Sequence, residues 1–212
     1  MTDAVALHGF FRSGASYRVR IALNLKGVAY RDVAHDLRKG AQKSAEYRAI
    51  NPQGFVPALE IDGATLTQSL AICEYLDEVH PEPALLPADP VLRAKVRAAA
   101  QVIACDTHPV QNLKVLARLR ALGHDEAAVG AWAAETIDDG FDAFDALIAD
   151  HAGRYCFGDT VTLADVMLVP QLVNARRFGA ELRWPRLLVI EAACLELDAF
   201  RRAMPENQPD AE

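Results

Sequence analysis

Over the first eighty residues the apolar positions switch repeatedly between a strand period and a helix period. Residues 5–7 read as a short apolar strand. Across residues 16–26, Val19, Ala22 and Leu23 share one helical stripe that stops at Gly27. Residues 28–33 read as a second strand, and 42–50 as a short helix ending at Asn51-Pro52, because a residue before proline avoids the α region. Residues 57–61 and 64–67 flank Asp62-Gly63, a dipeptide that supplies the positive φ angles of a tight hairpin. A helix over 69–79 closes the set. The order β-α-β-α-β-β-α is thioredoxin-like.

The pattern changes at residues 80–90, HPEPALLPADP, where Pro81, Pro83, Pro87 and Pro90 each forbid helix continuation or a ladder bond. Beyond it the periodicity is helical, over residues 91–102, 109–122, 125–149, 163–178 and 185–204, with no period-2 run and no internal repeat. This predicts a thioredoxin-like domain over 1–80, a linker over 81–90 and an all-helical domain over 91–212, ending in a polar tail from Pro205. Thr162 and Asp165 have capping-box spacing, with Val161 and Val166 as the staple around it, and mark the start of a buried helix.

Composition narrows the function. The chain has 212 residues, 51% hydrophobic and 24% charged, with mean hydropathy +0.04, as in an ordinary folded protein. A net charge of −7 argues against nucleic acid and anionic membranes as partners. The charge is uneven: residues 1–80 carry nine Lys or Arg against nine Asp or Glu, so basic sites remain open there. Cys73, Cys105, Cys156 and Cys194 form no C-x-x-C pair and lack a histidine cluster, which excludes a zinc knuckle or dithiol centre, and no metal is expected. Without a signal-peptide pattern or an 18-residue apolar run, the expectation is a cytoplasmic protein with reduced thiols and no membrane association.

Two loops carry candidate chemistry. In Phe11-Arg12-Ser13-Gly14-Ala15-Ser16-Tyr17 a strand feeds a helix, and unpaired amides at a helix start attract an anion. A hydroxyl there would keep a bound thiolate ionised; lowering a thiol pKa by two units from roughly 8.5 takes about 2.7 kcal/mol. Ser13 and Ser16 serve equally as plain helix caps. The second loop is Asn51-Pro52-Gln53-Gly54-Phe55-Val56-Pro57, followed by Gln68-Ser69 beyond the hairpin. A cis Val56-Pro57 bond would turn the Val56 amide and carbonyl out of the sheet edge, toward an extended peptide, and Ser69 at a helix start suits a carboxylate. Taken singly, Pro57 is an edge-strand residue and Ser69 an N-cap. Together they outline a peptide with a carboxylate at one end and a thiol at the other.

These motifs resemble the zeta class of the glutathione transferases, which includes maleylacetoacetate and maleylpyruvate isomerases. R-S-G-A-S-Y-R-V-R-I-A-L, N-P-Q-G-F-V-P-A-L, the Gln68-Ser69 pair, His108-Pro109-Val110-Gln111-Asn112, F-G-D-T-V-T-L-A-D and V-P-Q-L-V-N-A-R-R-F occur in that order over nearly the whole chain. The resemblance implies that Ser13 hydrogen-bonds the glutathione sulfur, that Gln53, the Val56 backbone, Gln68 and Ser69 hold the tripeptide, and that Pro57 is the family's cis proline. Many zeta members carry a second serine and a cysteine where this chain has Gly14 and Ala15. Hence the nucleophile would be the sulfur of glutathione itself, adding to a cis enone acid so that its double bond becomes single, rotates, and re-forms as the thiolate leaves.

Such a substrate brings two carboxylates and develops charge on its carbonyl oxygen, for which arginine is the suitable partner. Arg12 and Arg177 are the clamps the resemblance implies, with Arg176 and Lys114 as further substrate-binding cations. His108 stands between cofactor contact or proton handling and a structural role. Asp106 is implied as a ligand of the glutathione amine from a neighbouring subunit of a homodimer. Arg18 and Arg20 are expected on a solvated or domain-contact face. The implied activity is glutathione-dependent cis-trans isomerisation in aromatic catabolism. A general electrophile-conjugating transferase and a non-enzymatic regulatory protein of the same fold are the alternatives.

Overall fold

The computed structural model describes residues 5–211. In the first part of the chain β1 (Ala6–Gly9) leads into α1 (Gly14–Leu25), and β2 (Arg31–Ala34) returns parallel to β1 with Ala6 opposite Arg31. After α2 (Ala45–Ile50), β3 (Ala58–Ile61) and β4 (Ala64–Thr67) form the expected hairpin; its Asp62 and Gly63 have φ of 52° and 74°. β3 lies antiparallel to β1, so the sheet order is β2-β1-β3-β4, and α3 (Ser69–Val79) follows. This is the thioredoxin-like arrangement.

Three local boundaries differ from the sequence pattern. Ser13 rather than Ser16 starts the first helix: its backbone is extended and its side-chain oxygen accepts the Ser16 amide at 3.1 Å. β2 begins at Arg31, three residues later than the apolar run, because its ladder with β1 sets it while its side chains stay exposed or half-buried. The helix expected over 42–50 is a 3₁₀ turn followed by α2, which is capped by Ser44 accepting the Tyr47 amide at 3.2 Å.

The chain divides into two compact units, and the second boundary corrects the sequence-based one. The first unit runs to Leu85 and takes in the segment from Glu196 onward; the second is Leu86–Leu195. In the second unit α4 (Pro90–Gln101) continues as a π-helical segment, Val102–Thr107, before α5 (Leu113–Ala121), α6 (Glu126–Ile148), α7 (Leu163–Phe178) and α8 (Pro185–Leu195). α4 packs on α7, and α6 on the π-helical segment. That second contact requires Gly140, since a β-carbon there would fall 2.1 Å from Thr107 Oγ1. The capping box at the start of α7 is present as expected. The fully buried Asp165 carboxylate accepts the Thr162 amide at 2.7 Å and the Cys156 amide at 2.8 Å. Among the described residues no helix is long and apolar enough to cross a membrane.

The helix expected over 185–204 breaks after Leu195, and α9 (Asp198–Ala203) belongs to the first unit, packed on α1. α1 is therefore buried from Ser16 through Leu23, between the sheet-side core, α3 and α9. Arg18 and Arg20, expected on a solvated or domain-contact face, are 1% and 2% exposed. Arg20 donates to the Ala203 carbonyl and to the Phe11 carbonyl, each at 3.0 Å, and stacks over Tyr17.

Alternation along β1 puts Leu7 and His8 on opposite faces. His8 Nε2 lies 3.2 Å from the Glu60 carboxylate and Nδ1 lies 3.0 Å from His35 Nε2, while the His35 ring packs on Tyr47 of α2. Burial, then repulsion from His8, lowers the His35 pKa below its ordinary 6.5. The folded state thus favours neutral His35, a contribution present above about pH 6.5 and lost as pH falls from there through the lowered folded value. The melting temperature is expected to drop between pH 7 and pH 5, and to drop less in His35→Gln. Equal declines in thermal melts of the two proteins would assign the acid sensitivity elsewhere.

Candidate functional site

In the first unit, the loop from β1 to α1 is a hydrogen-bonded turn: the Ser13 amide donates to the Phe10 carbonyl at 2.9 Å, leaving Phe11 and Arg12 at its corners. Arg12 is exposed at the tip. Ser13 spends an oxygen lone pair on the Ser16 amide, which leaves its hydroxyl proton to donate to an anion in front of α1. The two roles weighed for this serine are therefore compatible in one rotamer.

The second loop is held from behind. Tyr47 Oη and Asn51 Nδ2 both donate to the Phe55 carbonyl at 2.7 Å, and the Asn51 side-chain oxygen accepts the Gln53 amide at 3.1 Å. The Val56-Pro57 bond is cis, as is Glu82-Pro83 in the linker, which the sequence did not flag. Val56 precedes the first residue of β3 that pairs with β1, so its amide and carbonyl lie outside that ladder. Gly54 has φ of 65°, and a β-carbon there would sit 2.9 Å from the Gln42 carbonyl, so only glycine lets the chain pass.

Gln53 and Gln68, fifteen residues apart, are joined by Gln68 Nε2 donating to Gln53 Oε1 at 2.8 Å. Gln68 adopts φ of 69°, a conformation that costs a non-glycine residue about 1–3 kcal/mol and is commonest at functional sites. With its side chain turned to Gln53, it makes no cap bond, and the first amides of α3 stay open to an acceptor. Ser69 is buried at that helix start, and Arg18 Nη1 donates to its Oγ at 3.4 Å. A desolvated guanidinium thus stands behind a hydroxyl and a helix N-terminus, a combination that favours a carboxylate. Sequence reasoning missed this role of Arg18. Nothing in the helical period distinguished Arg18 from a surface arginine.

The second unit holds the remaining candidates. Asp106 is exposed within the π-helical segment, which sequence periodicity did not reveal, and His108 follows it half-buried. The Lys114 side chain is exposed near the start of α5, where the Asn112 side chain caps the helix. Arg177 is exposed near the end of α7 and donates to Asn174 Oδ1 at 3.1 Å. Arg176 is engaged otherwise: its fork meets both oxygens of the buried Glu191 carboxylate on α8, at 2.6 and 2.5 Å. That bidentate pair uses the geometry a substrate would need.

All four cysteines are unbridged. Burial pushes the Cys73 thiol up to about 12 and that of Cys156 well above its ordinary value. Neither is a nucleophile near neutral pH.

Comparison with known proteins defines the class. Residues 12–79 match the glutathione S-transferase N-terminal domain and residues 97–189 the C-terminal domain. The chain belongs to the glutathione S-transferase family. It is 52% identical over 209 residues to the maleylpyruvate isomerase of a Ralstonia species, a match covering 97% of this chain and 99% of that one. A holo structure of a maleylpyruvate isomerase, a bacterial glutathione transferase of the zeta class, superposes with a TM-score of 0.95 at 51% identity, covering 98% of this chain and all of that one. The maleylacetoacetate isomerase of Anaeromyxobacter dehalogenans, solved with glutathione in its active site, gives a TM-score of 0.89 at 45% identity, covering 99% and 98%. Within the family the chain is a zeta-class member.

The cap geometry gives a direct expectation for stability. Ser13→Ala should lower the unfolding free energy by about 1 kcal/mol, whereas Ser13→Asn, an equally good cap, should hold it near that of the unaltered protein. Urea unfolding measures both, and three equal values would remove Ser13 as the start of α1.

Proposed function

We propose that the protein is a glutathione-dependent cis-trans isomerase that converts a doubly carboxylated cis enone, maleylpyruvate or maleylacetoacetate, into its fumaryl isomer. The observation that carries this reading is the Ser13 hydroxyl: an acceptor to the first turn of α1, it keeps its proton for an anion, in a chain half identical to isomerases of this class. The residues present fit glutathione. Ser69 with Arg18 behind it suits a carboxylate, Gln53 and Gln68 are coupled donors and acceptors, and Val56 offers unladdered backbone groups.

Bound glutathione supplies the thiolate that adds reversibly to the activated alkene and so frees it to rotate. The protein's part is electrostatic and positional. Ser13 donates to the sulfur and, with the amides at the start of α1, holds it anionic near neutral pH. The Val56 backbone pairs with the tripeptide as an added strand, and Ser69 and the start of α3 take its carboxylate. Arg12 and Arg177 grip the substrate carboxylates and offset charge developing on the carbonyl oxygen. Lys114 adds a further cation, and His108 contacts the cofactor. Arg176 leaves this set, because Glu191 occupies its fork. We further infer a homodimer, in which Asp106 meets the glutathione amine bound to the neighbouring subunit, working in the cytoplasm, where four unbridged thiols are in keeping with a reducing compartment.

The test follows absorbance of maleylpyruvate and maleylacetoacetate with and without glutathione, beside conjugation of chlorodinitrobenzene. Glutathione-dependent loss of at least one cis acid is expected; conversion of neither by folded, glutathione-bound protein removes the isomerase reading, and conjugation alone leaves a general transferase. Arg177→Ala should raise the substrate KM about 10- to 100-fold while glutathione affinity stays within about twofold. Equal loss of both would put Arg177 in the wrong role. Ser13→Ala should raise the pKa of the bound thiol by about 1–2 units in an ultraviolet thiolate titration, and an unchanged titration would remove Ser13 from the sulfur.

A further inference from the structure

The corner of the turn that presents Arg12 and Ser13 is clamped on both of its backbone polar groups. The Phe11 amide donates to Asp210 Oδ2 at 3.0 Å, across 199 residues of sequence, and the Phe11 carbonyl accepts Arg20 Nη2 at 3.0 Å. Arg20 Nε reaches the Ala203 carbonyl at the end of α9, so one buried guanidinium ties the turn to the returning C-terminal segment. Asp210 does not sit on a loose end. Gln208 Nε2 donates to the Arg202 and Met204 carbonyls at 2.8 and 2.7 Å, the Ala211 amide donates to the Gln208 carbonyl, and Ala211 packs on the cluster of Phe10, Phe11, Tyr47 and Val56. That cluster contains residues of both loops that carry the candidate site.

We infer that Asp210 and the C-terminal segment position the catalytic turn, so that the hydrogen bond from the Phe11 amide to the Asp210 carboxylate sets where Ser13 meets the glutathione sulfur. The inference rests on the reading of Ser13 given above. Asp210 touches neither cofactor nor substrate; it acts through the turn. A turn with a free corner amide relaxes toward water, and a displacement of the hydroxyl by a fraction of an ångström weakens its bond to the sulfur. The thiol of the binary complex then titrates higher, and less of it is ionised at neutral pH.

Three variants separate position from charge. Asp210→Ala removes the acceptor, Asp210→Asn keeps an oxygen at the same place without charge, and Asp210→Glu keeps the charge but moves the acceptor one methylene out. With Asp210→Ala the bound-thiol pKa should rise by about 0.5–1 unit and isomerisation at pH 6.5 should slow about 3- to 10-fold, converging on the unaltered rate as the thiol ionises at higher pH, with glutathione Kd within about twofold. Asp210→Asn should stay close to the unaltered protein, and Asp210→Glu should fall between. If Asp210→Ala does not fold, the ordering of Asn and Glu decides alone. An unchanged thiol titration in Asp210→Ala, or Glu behaving as the unaltered protein while Asn is impaired, overturns the inference. The titration needs only glutathione, so failure of the isomerase assay would leave its outcome readable.

Discussion

The site depends on how the chain enters its first helix. A strand buried in the middle of the sheet must reverse into α1 within four residues, and the bond from the Ser13 amide to the Phe10 carbonyl closes that turn. The bond from the Ser16 amide to the Ser13 oxygen then holds the serine side chain in place and leaves its hydroxyl proton unspent on the helix. The requirement of the helix for a cap is met by the oxygen of a hydroxyl whose proton, in the proposed reading, serves the thiolate.

Two arginines of α1 point into the interior, and one of them, Arg20, holds that turn through the Phe11 carbonyl. A buried guanidinium is tolerated where its donors find acceptors: Arg20 meets the Ala203 and Phe11 carbonyls, and Arg18 Nη1 meets the hydroxyl of Ser69. Burial lowers the pKa of Arg20, against the opposing effect of Tyr30, Asp32 and Asp210 around it. Arg18 is turned toward α3 and its anion-suited start, Arg20 toward the Phe11 corner and α9. One helix therefore lies behind both ends of the proposed tripeptide site, and the returning C-terminal segment packs on it.

In the second unit the contrast between Arg176 and Arg177 shows the same logic on a surface. Adjacent on α7, they point about 100° apart. One meets the buried Glu191 carboxylate bidentately and ties α7 to α8, while the other bonds Asn174 on its own helix and remains exposed. The π-helical segment is another case in which packing decides. Its extra residue per turn is accommodated against α6 only because Gly140 has no side chain.

The sequence by itself determined the alternation of strands and helices, the hairpin at Asp62-Gly63, the capping box at Thr162 and Asp165, and the loops bearing Ser13, Gln53, Val56, Gln68 and Ser69. These are local: caps, turn dipeptides and proline restrictions act over three or four residues, and their signals lie side by side in the chain. The burial of Arg18 and Arg20, the break after Leu195, the membership of residues beyond Glu196 in the first unit, the engagement of Arg176 with Glu191 and the bond from Phe11 to Asp210 were decided only in the tertiary structure. Each depends on a partner from a distant part of the chain. An amphipathic period reports which face of a helix is apolar, but whether its polar face meets water or a second covering helix depends on what returns to lie against it.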